Sequence, residues 1–216
     1  MKVFVSWSGG KESVLACFRA IKNYNYKVKF FLNMVTQDGK FSHSHGVSSD
    51  LLKIQAQEIG ISLIQRKTTW ESYEQEFKKA IYYFKEKGIQ AGVFGDIDLQ
   101  EHRDWIEKVC KDTGIEAILP LWNKKREDIL KEFIQTGFKA IVCSVNSLFL
   151  SENYLGRVID ERFIEELKTQ KNIDLCGERG EYHTFVYDGP IFKNPVRFKI
   201  GEKNKRDKNW FLELKL

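Results

Sequence analysis

The chain has 216 residues, of which 42% are hydrophobic and 30% charged, with a formal net charge of +5. This composition is ordinary for a globular protein, and no stretch approaches the roughly 18 uncharged apolar residues of a membrane span, so we expect a soluble protein without a membrane partner. The four cysteines form no C-x-x-C pair, which argues against a structural zinc site or a disulfide framework. The N-terminus has neither the apolar region nor the cleavage site of a signal peptide, which favours a cytoplasmic location.

Apolar patterns of period two and period 3.6 alternate along the first half of the chain. They predict strands over 2–6, 28–35, 61–65, 91–96 and 115–118, and helices over 11–23, 51–59, 71–87 and 99–113. The regular alternation of strand and helix indicates an α/β fold with a doubly wound, mostly parallel, Rossmann-like sheet.

The second half of the chain has a less regular pattern. It predicts helices over 124–136 and 160–168, and strands over 138–145, 184–187, 196–200 and 209–215. We therefore expect a nucleotide-binding domain over 1–119 and a smaller mixed α/β lobe over 120–216, with the boundary near Pro120.

A glycine-containing loop joins the first strand to the first helix. Backbone N–H groups and the start of a helix meet there, and both favour a bound phosphate. The spacing matches neither a Walker loop nor the G-x-G-x-x-G dinucleotide motif. A glycine turn that only caps the helix is the structural alternative. The residues expected to hold phosphate are Ser6, Ser8, Gly9, Gly10, Lys11, Glu12 and Ser13.

Gly95 and Asp96 follow the strand predicted over 91–96. The carboxyl ends of parallel strands meet at one edge of a sheet, so Asp96 should lie near the glycine loop and bind magnesium or the ribose. An N-cap of the next helix is the competing interpretation.

A second cluster of polar residues lies far along the chain, over 177–185. It places Glu178, Glu181, His183 and Thr184 around two glycines, which permit a tight turn that projects neighbouring side chains.

The N-terminal loop resembles the pyrophosphate loop of the ATP pyrophosphatase superfamily, which has the adenine nucleotide α-hydrolase-like fold. The chain resembles the diphthine–ammonia ligase family over nearly its whole length. The resemblance rests on this loop and on five further segments: 95–97, 120–122, 138–145, 155–157 and 177–185. The resemblance implies that ATP adenylates the carboxylate of diphthine, a modified histidine on a translation elongation factor, and that ammonia then displaces AMP. It implies ATP and Mg²⁺ as cofactors, with Glu12 and Asp96 as metal ligands.

Two positions depart from the family pattern. Glu12 stands where most members have Asp, and His183 stands where many have a second acid. The second departure looks like the bacterial and some archaeal relatives, so a carboxylate other than diphthine stays open.

The resemblance also suggests roles around the substrate. Lys11 would hold pyrophosphate, and Glu178, Glu181 or His183 would accept the proton of ammonium, because attack on an acyl adenylate needs the neutral amine. A solvated helical turn explains two of the substrate-binding candidates, Asp98 and Arg103, equally well. The full set of these candidates is His45, Asp98, Arg103, Arg157 and Thr184.

Two other functions compete with the ligase. A tRNA-thiolating enzyme on the same fold would need reactive cysteines, for which Cys143 and Cys176 are the candidates, but no basic aromatic RNA-binding module is evident. A nucleotide sensor without turnover would have no need of the acidic cluster. We expect no nucleic-acid partner, and monomer and homodimer stay open.

Overall fold

The computed structural model describes residues 1–43 and 45–216. Its first half alternates strands and helices in the expected order: β1 (Lys2–Ser6), α1 (Lys11–Lys22), β2 (Lys27–Val35), α2 (Ser49–Ile59), β3 (Ser62–Lys67), α3 (Tyr73–Glu86), β4 (Ala91–Val93), α4 (Gln100–Thr113) and β5 (Glu116–Ile118). The five strands pair in parallel in the order β3-β2-β1-β4-β5. The doubly wound parallel sheet expected from the sequence is thus confirmed.

The second half builds a smaller sheet whose strand pairs are antiparallel. Its elements are α5 (Arg126–Gln135), β6 (Lys139–Asn146), a 3-10 turn (Glu152–Tyr154), α6 (Glu161–Thr169), β7 (Tyr182–Asp188), β8 (Lys199–Arg206) and β9 (Asn209–Lys215). The strand order is β7-β6-β9-β8. Helices and strands occur together in this lobe, as the irregular sequence pattern indicated.

Two strands differ from their expected bounds by three residues or more, for physical reasons. β4 ends at Val93 and not at Asp96, because the chain there passes against the start of α1. A Cβ at Gly95 would lie 2.8 Å from the carbonyl carbon of Glu12, so only glycine permits this approach. β8 starts at Lys199 and runs to Arg206, although its exposed residues lack an apolar alternation, because pairing with β9 extends it.

One continuous hydrophobic core joins the two sheets. It includes Val5 of β1, Leu15 of α1, Val142 of β6 and Phe185 of β7. α1 therefore packs between the lobes, and its N-terminus lies where both halves of the chain can reach it. No helix of the described residues is long and apolar enough to cross a membrane.

Candidate active site

A cavity of about 250 Å³ opens where β1 and β4 end. These neighbouring strands lie at the point where the strand order reverses, which is where open parallel sheets bind ligands. The cavity brings together most of the residues expected from the sequence: Ser6, Ser8, Lys11, Glu12, Ser13, His45, Gly95, Asp96, Glu178 and His183.

The glycine loop, residues 8–13, takes its shape from a positive φ at Gly9 and from two serine hydroxyls. Gly9 has φ +77°, and a Cβ there would lie 2.4 Å from Cδ2 of Leu52. The hydroxyl of Ser8 accepts a hydrogen bond from the N–H of Gly10 at 3.2 Å, and the hydroxyl of Ser13 donates one to the carbonyl of Gly10 at 3.0 Å. The first helical hydrogen bond of α1 runs from the N–H of Val14 to the carbonyl of Gly10. The N–H groups of Glu12 and Ser13 precede it and have no described partner, so they are available to an anion.

Lys11 is buried and links the glycine loop to the C-terminal lobe. Its Nζ donates to the carbonyl of Cys176 at 2.6 Å and lies 4.3 Å from the centre of the Tyr182 ring. Its backbone N–H donates to the hydroxyl of Thr184 at 3.1 Å. Burial opposes the charge of Lys11, but the Glu12 carboxylate and other neighbours outweigh it, so its pKa lies above the ordinary value. The ammonium is therefore a permanent positive charge in the cavity wall.

The carboxylates of Glu12 and Asp96 face the cavity at its phosphate end. Oε1 of Glu12 is buried 2.7 Å from Nζ of Lys11, but the two atoms are not aligned for a hydrogen bond, and no other described group bonds this oxygen. Oδ1 of Asp96 lies 3.1 Å from Nδ1 of His102, and this contact raises the pKa of His102. Two neighbouring carboxylates, one of them with a buried oxygen that accepts no hydrogen bond, fit a hard cation such as Mg²⁺.

Within the described residues, no group of three or more histidine, cysteine, aspartate or glutamate side chains could hold a metal ion. Mg²⁺ is commonly bound by one or two carboxylates together with phosphates and water. A cation here would thus need a nucleotide to complete its shell.

The acidic loop, residues 174–181, also lines the cavity and carries Glu178. Burial raises the pKa of Glu178 to about 8, and repulsion from Glu12 and Asp96 acts in the same direction, with Lys11 opposing. A carboxyl group that gains or loses a proton near neutral pH is suited to acid–base chemistry.

Glu181 occupies the same loop but points away from the cavity. Its side chain is 0% exposed. Its two oxygens accept hydrogen bonds from the N–H groups of Asp174 and Arg179, each at 3.1 Å. Glu181 does not line the cavity. This geometry gives Glu181 a structural role, in place of the proton-accepting role considered from the sequence.

His183 and His45 form a contacting pair in the cavity wall, with ring centres 4.4 Å apart. Burial lowers the pKa of His183 to about 4, with the ammonium of Lys11 adding to the effect. Burial, His183 and Lys11 together lower the pKa of His45 well below its ordinary value. Both rings are therefore neutral at neutral pH, and Nδ1 of His45 has no described hydrogen-bond partner.

Four of the other candidates do not line the cavity. Asp98 pairs with Arg126 at 2.8 Å, and Arg157 pairs with Glu166 at 2.7 Å. Arg103 pairs with a glutamate of its own helix and lies over a tryptophan ring. Thr184 is buried and its hydroxyl accepts the bond from Lys11 described above. The structure thus gives these four residues protein partners in place of direct access to a ligand.

Sequence reasoning missed several residues that line the cavity: Asn33, Met34, Tyr73, His102 and Tyr182. Asn33 and Met34 lie near the carboxyl end of β2, so strand-end position was a usable signal for them. His102 lies on an exposed turn of α4, where the sequence holds no comparable signal.

The two cysteines considered for sulfur chemistry are buried. Burial raises the pKa of Cys143 to about 12 and raises that of Cys176 well above its ordinary value. Reactive cysteines have depressed pKa values, so neither thiol has the properties that a thiolation enzyme needs.

The fold, with its cavity at the switch point of the parallel sheet, places the protein in the α/β class of nucleotide-binding folds. Family models sharpen this assignment: the diphthamide synthase N-terminal domain matches residues 1–117 and the diphthamide synthase C-terminal domain matches residues 125–215. The chain belongs to the diphthamide synthase family, which confirms the family expected from its motifs.

Curated relatives of the chain are named diphthine–ammonia ligase. The protein of Rattus norvegicus is 26% identical over 94% of this chain and 84% of its own length. The protein of Bos taurus is 35% identical over 52% of this chain and 43% of its own. The Schizosaccharomyces pombe protein is 28% identical over 91% of this chain, which spans only 36% of that relative's length.

A crystal structure titled as a predicted subunit of tRNA methyltransferase from Methanocaldococcus jannaschii is also similar, with a TM-score of 0.45 and 17% identity. The match covers 86% of this chain and 96% of that one. A likeness this weak carries no functional argument.

Proposed function

We propose that the protein is an ATP-dependent ligase that adenylates a carboxylate, releases pyrophosphate and passes the acyl group to ammonia. The observation that carries the proposal is that the glycine loop and Glu178 line the same cavity. One wall is built for phosphate, and the other carries a group whose pKa is poised for proton transfer. The names of the curated relatives support the same reaction.

The first step joins the carboxylate to the α phosphorus of ATP. A carboxylate oxygen attacks that phosphorus, its bond to the bridging oxygen breaks, and pyrophosphate leaves with the electron pair. The N–H groups at the start of α1 and the hydroxyls of Ser8 and Ser13 hold the pyrophosphate. The fixed ammonium of Lys11 stabilises the negative charge that develops on the phosphate oxygens.

Glu12 and Asp96 would hold Mg²⁺ in this site. The buried Oε1 of Glu12, which pairs with the Lys11 ammonium but accepts no hydrogen bond, is the observation that supports a cation there. Bound Mg²⁺ would supply charge neutralisation on the phosphates.

The second step needs neutral ammonia. Glu178, ionised above its raised pKa, accepts a proton from ammonium, and the nitrogen lone pair then attacks the acyl carbon. The bond between that carbon and the AMP oxygen breaks, and AMP leaves as the amide forms. His183, neutral and next to His45, is the second group that can take the proton.

We further propose diphthine on a translation elongation factor as the carboxylate, with the reaction in the cytoplasm. The relatives' names support diphthine. We also propose that 1–119 binds the nucleotide and 120–216 completes the substrate site. The family models, which end at 117 and resume at 125, support this division.

Product analysis tests the proposal. The protein is incubated with α-labelled ATP, Mg²⁺, ammonium and an elongation factor that bears diphthine, and AMP, pyrophosphate and amide are measured together. The proposal predicts all three in equal amounts. AMP without amide would support the adenylation step and contradict diphthine as the substrate. ADP in place of AMP would contradict the proposed ligase reaction.

A further inference from the structure

Arg126, the first residue of α5, bridges two carboxylates from different parts of the chain. Its Nη2 donates to Oδ1 of Asp98 at 2.8 Å. Its Nε lies 2.9 Å from Oδ2 of Asp174 as an ion pair without hydrogen-bond alignment. Its carbonyl oxygen accepts a long hydrogen bond from the thiol of Cys176 at 3.5 Å.

The two carboxylates belong to the two segments that bring Asp96 and Glu178 to the cavity. Asp98 lies two residues after Asp96, in the segment that follows β4. Asp174 begins the acidic loop that carries Glu178, and its Oδ1 accepts a hydrogen bond from the N–H of Cys176 at 2.8 Å. Arg126 therefore ties the Asp96 segment to the Glu178 loop.

The bridge needs an arginine for physical reasons. The Asp174 side chain is only 2% exposed, and a buried carboxylate needs an opposite charge close by. A planar guanidinium can engage two carboxylates from separate nitrogens, whereas a lysine ammonium is a single point of charge. A backbone hydrogen bond of 2.8 Å from Asn123 to Ile97 holds the start of α5 against the same segment.

We propose that Arg126 is a positioning residue that fixes Glu178 opposite Asp96 for the amine-handling step. The inference rests on the proposed ligase function. It also gives Asp98 a role, as the anchor of Arg126, in place of the direct substrate contact considered from the sequence. The competing interpretation is a partly exposed ion pair with little effect on anything, which is common on protein surfaces.

The test compares Arg126→Ala and Arg126→Lys with Arg162→Ala as the matched control. Arg162 also pairs with a glutamate, but its side chain is 84% exposed on α6, away from the cavity. Misplacing a catalytic group by about 1 Å can cost on the order of 100-fold in rate. We expect Arg126→Ala to lower kcat for amide formation by about that factor, and Arg126→Lys to recover part of it, while KM for ATP stays within about twofold.

A double variant distinguishes the positioning of Glu178 from a general loss of rigidity. If Arg126 acts through Glu178, then adding Arg126→Ala to Glu178→Gln produces almost no further loss of kcat, because residues that act as a unit are not additive. The proposal would be overturned if the two single losses of kcat multiplied in the double variant. It would also be overturned if Arg126→Ala had the same kcat as Arg162→Ala.

Hydrogen exchange keeps the test independent of turnover and of the carboxylate used. We expect Arg126→Ala to speed amide exchange in 174–181 while binding of a non-hydrolysable ATP analogue persists, and unchanged exchange would overturn the proposal. Asp98→Asn, which leaves Asp174 paired with Arg126, gives the same readout if Arg126→Ala does not fold. If the wild-type protein forms no amide, but Arg126→Ala still exchanges faster than wild type over 174–181, then the ligase function has failed and the bridge has not.

Discussion

The two loops that line the cavity use their carboxylates in different ways. Both loops turn at glycines with positive φ, Gly9 in the glycine loop over 8–13 and Gly177 and Gly180 in the acidic loop over 174–181. In the acidic loop, the carboxylates of Asp174 and Glu181 accept hydrogen bonds from N–H groups of the loop itself. In the glycine loop, serine hydroxyls make the local hydrogen bonds, and the carboxylate of Glu12 accepts none from the loop backbone.

This difference decides the roles of two glutamates that look alike in sequence. Glu178 lines the cavity and has a raised pKa, and Glu181, three residues later, is buried with both oxygens bonded to the backbone. Acidic side chains in such a loop are therefore divided between holding the loop and acting on the ligand.

Removing the fixed charge of the glycine loop should have the largest effect. Lys11→Met deletes the ammonium at the phosphates, and the loss of one preorganised electrostatic group costs about 100- to 1,000-fold in kcat. AMP formation from labelled ATP, scaled to the folded fraction from circular dichroism, measures the change. AMP formation within about threefold of wild type would contradict the placement of pyrophosphate on this loop.

Replacing Glu178 and Glu181 in turn should separate activity from stability. Glu178→Gln removes the proton acceptor and should lower amide formation by about 100-fold, the lower end of what general bases contribute. Glu181→Ala should instead lower the free energy of unfolding by about 3 kcal/mol, because the buried N–H of Asp174 and the partly buried N–H of Arg179 lose a charged acceptor. Urea unfolding and steady-state kinetics on both variants check the contrast, and the reverse pattern would reject it.

The raised pKa of Glu178 should appear in two pH profiles, one of amide formation and one of the stability of the ligand-free protein. Amide formation should rise with pH up to about 8 as the carboxyl group ionises, and this limb should vanish in Glu178→Gln. The folded-state pKa lies above the unfolded value near 4.5, so the contribution of Glu178 to stability is lost as pH rises from about 4.5 to about 8. Parallel unfolding curves for wild type and Glu178→Gln across this window would contradict the burial of the charge.

The smallest effect is expected for the arginines outside the cavity. Arg103→Ala and Arg157→Ala remove partly exposed ion pairs, which contribute at most about 1 kcal/mol each to stability. Neither should change KM or kcat by more than about twofold. A tenfold rise in KM for the carboxylate substrate would indicate that the replaced arginine contacts the substrate.

Much of the fold was predictable because its signals are local. The parallel sheet follows from alternating strand and helix patterns, and glycines mark the ends of α2 and α4. β8 was underestimated because an exposed strand carries no apolar alternation, and the early end of β4 depends on the approach of α1 to Gly95, which is a tertiary effect.

The sequence predicted parts of the site only where the residue types at one local turn are typical of a single function. Glycines followed by a lysine at a strand-to-helix turn indicate an anion site, and most of that loop lines the cavity. The division between Glu178 and Glu181, the His45–His183 contact and the bridge through Arg126 depend on which side chains meet in space. No pattern along the chain encodes those contacts.

A crystal structure with the non-hydrolysable α,β-methylene analogue of ATP and Mg²⁺ tests the central claim most directly. The account predicts that the β and γ phosphates lie on the N–H groups at the start of α1, that Mg²⁺ contacts Glu12 or Asp96, and that the α phosphorus faces Glu178. A triphosphate bound away from the glycine loop, or an α phosphorus turned away from the acidic loop, would contradict it.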